Sequence, residues 1–244
     1  MADIVSKTCS DYLRECYSEL KASHARELVA AFFGYKSHAA LLADKRNGVD
    51  YLDQAAVLVP DSSLVDVRRR CLKELSEQLP PSAKLVEELV QFVQDEELFT
   101  GEVWDCFDVG EYVMEEYLPA HLSPELDIEL EELTKPLNAF FEEISYDDCQ
   151  VTETDFGVTV TVSGTYTGYC LDDNEHSDEP VIDLEITVYL RRCSGSISFD
   201  EPEIDVLGTL KKEDDDTDED SNDADIDKDD DAKEESQQPA AVMS

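Results

Sequence analysis

Ile182-Asp-Leu-Glu-Ile-Thr-Val-Tyr-Leu190 alternates apolar and polar residues without a break. Side chains of a strand point to opposite faces in turn, so this pattern marks a strand with one face buried and one wet. Val158, Val160 and Val162, alternating with Thr159 and Thr161, repeat the signature upstream. Gly164 to Leu171 is β-branched and aromatic enough for another strand, and Gly195–Phe199 and Ile204–Leu210 offer one or two more. No helix-length crossover separates these segments, which predicts an antiparallel meander of about four strands over residues 146–210.

Upstream the period is 3.6 rather than 2. Tyr12, Leu13, Cys16, Tyr17 and Leu20 recur at helical spacing within residues 10–22. Ser23 stands where an N-cap belongs for His24–Phe33, Gly34 where that helix should stop, and Ser37 where His38–Asp44 should be capped. Residues 1–48 therefore read as a small helical module. Residues 49–60 fit either a helix end or a short extended piece. Asp61 or Ser62 caps a helix through Leu64, Val67, Cys71 and Leu75, stopped by Pro80-Pro81, and Ser82 opens the next through Leu85, Leu89 and Phe92. Two more helices are expected, one over Glu102–Tyr117, and one starting at Pro124 and running to Ile144 with a bend at Pro136. A helical region over 49–145 ahead of a β region makes the fold class α+β.

Beyond Leu210 the composition changes. Residues 211–244 hold fifteen Asp or Glu against four Lys, and Glu213–Glu235 has Ile226 as its only large apolar residue. Such a run cannot bury enough surface to offset the entropy of ordering, so a disordered Asp-rich tail is expected. The tail's net of −11 leaves −30 of the chain's −41 on residues 1–210. The body is itself acidic. A field of that sign repels nucleic acid and anionic lipid and attracts basic proteins and cations.

Seven cysteines without a CxxC pair do not read as a disulfide framework, and point to a reducing compartment. The first residues lack the apolar core of a signal peptide, and nowhere do eighteen apolar residues run together. The cytoplasm is the expected location.

No Gly-rich phosphate loop, nucleophile elbow or dinucleotide fingerprint is present, and no cofactor is expected. Three sets of residues could still carry function. In the loop between the second and third strand segments, Glu175, His176 and Asp178 could hold a metal ion, and with it a metal-dependent or small-ligand enzyme. Asp214, Asp215, Asp216, Asp218, Glu219 and Asp220 of the tail could meet a basic partner. Arg68, Arg69 and Arg70 form the only basic cluster and could touch phosphate, as in a DNA-associated regulator. The Asp223–Glu234 run follows a calcium-loop spacing but puts Lys228 where the sharp turn needs Gly.

Leu20–Ala43, with its Ser23-His24 opening, Gly34-Tyr35 turn and Ser37 cap before an Ala-Leu-rich helix, resembles a short module at the start of bacterial glyoxalase-related and plasmid-type proteins. The resemblance implies a bacterial origin and a docking role. It implies no glyoxalase chemistry, since the β region offers one His, in a loop. The reading that fits the −30 of the body is a non-enzymatic interaction protein for a basic partner, of which a nucleic-acid-binding protein met by DNA mimicry is one form. The bland counterpart is an acidic surface that serves solubility in high salt.

Overall fold

The computed structural model describes residues 4–46, 48–76, 78–105, 108–170 and 179–211. The chain is α+β, with helices leading and most of the sheet following. Its elements are α1 (Ile4–Cys16), α2 (Ala22–Phe32), α3 (His38–Ala43), a 3₁₀ turn (Val49–Gln54), β1 (Val57–Leu58), α4 (Ser62–Cys71), α5 (Ser82–Asp95), β2 (Glu102–Val103), α6 (Val109–Tyr112), α7 (Leu118–Glu129), α8 (Glu131–Thr134), β3 (Ala139–Thr154), β4 (Gly157–Cys170), β5 (Val181–Ser194), β6 (Ser198–Phe199) and β7 (Glu203–Leu210).

The sheet is not a four-stranded antiparallel meander. It has seven strands in the order β2-β1-β6-β5-β4-β3, with β7 also paired to β5, and β1 runs parallel to β2. Three stretches of strand lie outside the expected β region. Residues 139–145 open β3, residues 57–58 are extended, and Glu102–Val103 is strand rather than helix: the Glu102 amide donates to the Ala56 carbonyl at 2.8 Å and the Trp104 amide to Leu58 at 2.9 Å. Gly101 permits this approach, because a Cβ there would lie 2.2 Å from the Ala56 oxygen.

The helix expected to run on from Pro124 to Ile144 is also corrected. A helical path starts at Val109, where the Asp108 carboxylate accepts from the Gly110 and Glu111 amides, passes through a π-helical turn at Val113–Tyr117 and continues as α7 with Pro124 inside it. It ends after α8 in a 3₁₀ turn at Lys135–Leu137, and Asn138 takes a left-handed φ of 45°. Phe140, Phe141 and Ile144 therefore lie on β3. Further upstream, α1 begins six residues earlier than expected and buries Val5, Cys9 and Leu13 as an i, i+4, i+8 stripe. Ser23 lies inside α2 rather than capping it. Ser37 does cap α3, its hydroxyl accepting from the Ala40 amide at 3.1 Å.

Two apolar clusters make the core. One gathers α1 to α5, with Leu28, Phe32, Leu52, Leu85 and Leu89 fully enclosed. The other lies between α7 and one face of the sheet, where Leu118, Leu122, Leu126 and Leu130 meet Val160, Ile182, Ile186 and Val188. Trp104 is buried in this second cluster, its ring 4.9 Å from Tyr112 and 5.0 Å from Tyr117.

The β5–β6 turn joins the helices to the sheet. Gly34 (φ 82°) and Gly195 (φ 68°) both take left-handed backbone, and they face one another. A Cβ on Gly34 would sit 1.5 Å from the Ser196 hydroxyl oxygen, and one on Gly195 would sit 3.0 Å from the Phe33 carbonyl oxygen. That carbonyl accepts from both the Ser196 amide, at 3.1 Å, and its hydroxyl, at 3.2 Å. Ile197, next along, packs into the helical cluster.

Candidate functional site

The four long strands have one face against α7 and one facing solvent, with the register fixing which residues stand where. Reading across β3-β4-β5-β7, one row on the open face is Ser145, Thr165, Asp183 and Thr209; the next is Asp148, Ser163, Glu185 and Leu207. Gln150, Thr161, Thr187 and Asp205 follow, then Thr152, Thr159, Tyr189 and Glu203. The core face carries the intervening valines, leucines and isoleucines, as one-sided burial requires.

No described element covers this open face. Among the described residues it carries Glu143, Asp148, Asp183, Glu185, Glu203 and Asp205 against two cations: Arg191, bonded to Glu203 at 2.9 Å, and Lys211, whose amide extends the ladder by donating to the Val181 carbonyl at 2.9 Å. Across neighbouring strands each of these carboxylates stands opposite Ser, Thr, Leu or Tyr rather than another acid. Directly opposed like charges destabilise a sheet, and the spacing by hydroxyl residues avoids that while keeping the face strongly negative. Large apolar side chains are interspersed: Phe140 is 58% exposed, Leu207 61%, Tyr189 43% and Tyr169 41%. Phe140 and Tyr169 stand opposite one another, and the Tyr169 hydroxyl donates to Glu143 at 3.2 Å. That bond, together with the Glu143 charge, raises the Tyr169 phenol above its ordinary range.

A second feature lies beyond the other end of the strands. Helices α4 and α5, strand β2 and the tips of β3 and β4 enclose a cleft of about 1190 Å³. Leu64, Val90, Val103, Val109, Val151 and Val158 line it, over a floor that includes Ile197 and Phe199. Asp61, Glu87, Asp105 and Glu153 stand among its lining, with Lys84 and Arg192. Arg192 is fully engaged in holding the fold: it bonds the Glu153 carboxylate and the Thr154 carbonyl, and its Nε donates to the Ser196 carbonyl at 3.3 Å. It thereby ties the β3–β4 turn to the β5–β6 turn.

The basic triplet is divided by the helix that carries it. On α4, Arg68 pairs with Glu27, and Arg69 donates to the Pro80 carbonyl and, at 3.5 Å, to that of Leu79. Only Arg70 is exposed. Glu175, His176 and Asp178 lie outside the described residues, as do Asp214, Asp215, Asp216, Asp218, Glu219 and Asp220. Among the described residues no group of three or more His, Cys, Asp or Glu side chains is placed to hold a metal ion.

No protein-family model matches this chain. No curated protein and no solved structure matches it either. Among the described residues no helix is long and apolar enough to cross a membrane.

The sequence supplied the alternation that defines the open face over β4 and β5, but not its extent. β3 was hidden because two bulges, between Phe141 and Glu143 and between Tyr146 and Asp148, break its alternation. The cleft left no linear signal, since its lining comes from eight separate elements and the loops between them.

Proposed function

We propose that this chain is a non-enzymatic binding protein that receives a basic protein partner on the open face of its sheet. The observation that carries the reading is that face itself: among the described residues, six carboxylates against two cations, of which Arg191 is already spent on Glu203, and no described element over it. An ordinary solvated sheet face mixes both signs. Exposed Tyr, Phe and Leu among the acids are the residue types that anchor protein interfaces, with the carboxylates steering a cationic partner into place. Nucleic acid is disfavoured by the same field.

The test separates a site from a diffuse field. A fluorescent twenty-residue peptide of alternating Lys and Ser is titrated against the full chain at about 50 mM salt. The triple variant Asp183→Asn, Glu185→Gln, Asp205→Asn is compared with Glu111→Gln, Glu115→Gln, Glu132→Gln, which removes the same charge from exposed positions on or beside the helices. Loss of affinity about ten-fold greater for the sheet triple supports the proposal. Equal losses would mean that the acidity acts as a general solubilising field.

The two other readings are a metal-dependent enzyme using Glu175, His176 and Asp178 and a DNA-associated regulator using Arg68, Arg69 and Arg70. The first set lies outside the described residues, and two arginines of the second are engaged within the fold.

A further inference from the structure

The geometry points to a second binding site on this molecule: the cleft between α4–α5 and the sheet takes an amphipathic helical segment of a basic partner. The inference deepens the proposed function, and rests on it for the partner's sign of charge.

Three properties of the cleft lead there. First, its lining is aliphatic and open. Val151 is 45% exposed, and Leu64, Val90, Val103, Val109 and Val158 are each half-buried, although they lie close together on one concavity. A concave apolar lining rimmed by polar groups gives an apolar stripe of a partner a place to bury. Second, its volume of about 1190 Å³ exceeds the roughly 300–1,000 Å³ typical of clefts that enclose a drug-sized ligand. The space suits a peptide segment laying an apolar stripe into a groove. Third, the rim fixes the polarity of the occupant. Arg192 and Glu153 neutralise each other, which leaves Asp61, Glu87 and Asp105 against Lys84. A helix with aliphatic residues at i, i+3, i+4 and i+7 and Lys or Arg on its flanks complements both floor and rim.

Walls from different parts of the chain hold the cleft open. The β3–β4 tip is pinned by Arg192, the floor by Ile197 in the helical core, and β2 by its parallel pairing with β1. The concavity is preorganised, so binding need not order it first.

The test uses the full chain and two labelled eighteen-residue peptides of equal charge. One places Leu at i, i+3, i+4, i+7 spacing among Lys; the other replaces every Leu by Ser. Two variants, Val151→Lys and Glu87→Lys, change exposed positions, and circular dichroism checks that each retains the fold. The expected result is that the Leu/Lys peptide binds about ten-fold or more tightly than the Ser/Lys peptide, and that both variants remove this advantage.

Equal binding of the two peptides, indifferent to both variants, overturns the inference. If Ser/Lys binding then still falls in the sheet-face triple variant, the proposed function stands without it. If instead the Leu/Lys advantage depends on Val151 while Ser/Lys binding ignores the sheet triple, the cleft stands and the sheet-face reading fails. Self-association of the free chain that Val151→Lys abolishes would identify a second copy as the occupant. Saturable binding of dodecylamine with no preference between the peptides would identify a small aliphatic ligand. Either result overturns the inference.

Discussion

Gly34 is the residue on which most structure turns. Its φ of 82° is strained for any L side chain, and a Cβ would collide with Ser196, so Gly34→Ala incurs both a backbone and a steric penalty. The backbone part alone is about 1–3 kcal/mol. Urea unfolding of the variant should show a loss of unfolding free energy at least that large, and a neutral result would mean that the junction relaxes freely. Cys193 makes a different prediction. Burial first, and the nearby Asp200 charge second, push its thiol up to about 11. It should stay protonated at pH 8 and react with a disulfide reagent far more slowly than exposed Cys16 or Cys71, as mass spectrometry of the labelled chain would show. The sign for stability follows. A thiol with a raised folded pKa contributes fully below its unfolded value, and its contribution is lost as pH climbs through about 9 to 11. Cys193→Ala should flatten that part of the stability profile.

Among the elements, α6 is only four residues long, and the Asp108 carboxylate satisfies two of its amides, at 2.8 and 3.3 Å. Asp108→Ala should lower the thermal midpoint by the equivalent of about 1 kcal/mol, the usual loss for an N-cap. A larger fall would show that the whole path from Val109 to Glu129 depends on this start. Caps and alternation were the legible part of the chain: Asp61, Ser37 and Gly34 act as expected, and Ile182–Leu190 is the strand its pattern describes. Sequence misled where a local preference lost to a distant partner. Val103 and Trp104 look like helix, yet their backbone pairs with β1, and Pro124 looks like a helix start, yet the path had already begun fifteen residues before. Bulges hid β3 by shifting its period. The open acidic face could be read in part, from Asp183 and Glu185, but the carboxylates of β3 could not.

For the whole molecule, charge is the dominant quantity. Among the described residues, ion pairs such as Lys21–Glu74 at 2.6 Å and Arg191–Glu203 at 2.9 Å engage part of the small basic complement. With 19 Lys and Arg against 60 Asp and Glu, most carboxylates still repel one another in the folded state. Added salt should screen that repulsion, so the thermal midpoint should rise between 50 mM and 1 M sodium chloride. A falling midpoint would show that its few ion pairs outweigh the repulsion. The same salt should weaken capture of a basic partner, so binding and stability are expected to move in opposite directions.

The junction at Gly34 and Gly195 also bears on how the protein is made. Phe33 and Ser196, which it joins, stand 163 residues apart. At a synthesis rate of 5–20 residues per second, the first helices wait roughly 10–30 s for the turn that seals them. Until then the surface reserved for Ile197 lies open on the nascent chain. A ribosome-bound fragment stalled before residue 195 should be cut readily by protease within α1–α3, whereas one extended past Phe199 and clear of the exit tunnel should resist. Helices α1–α3 are thus translated well ahead of the turn that completes their packing.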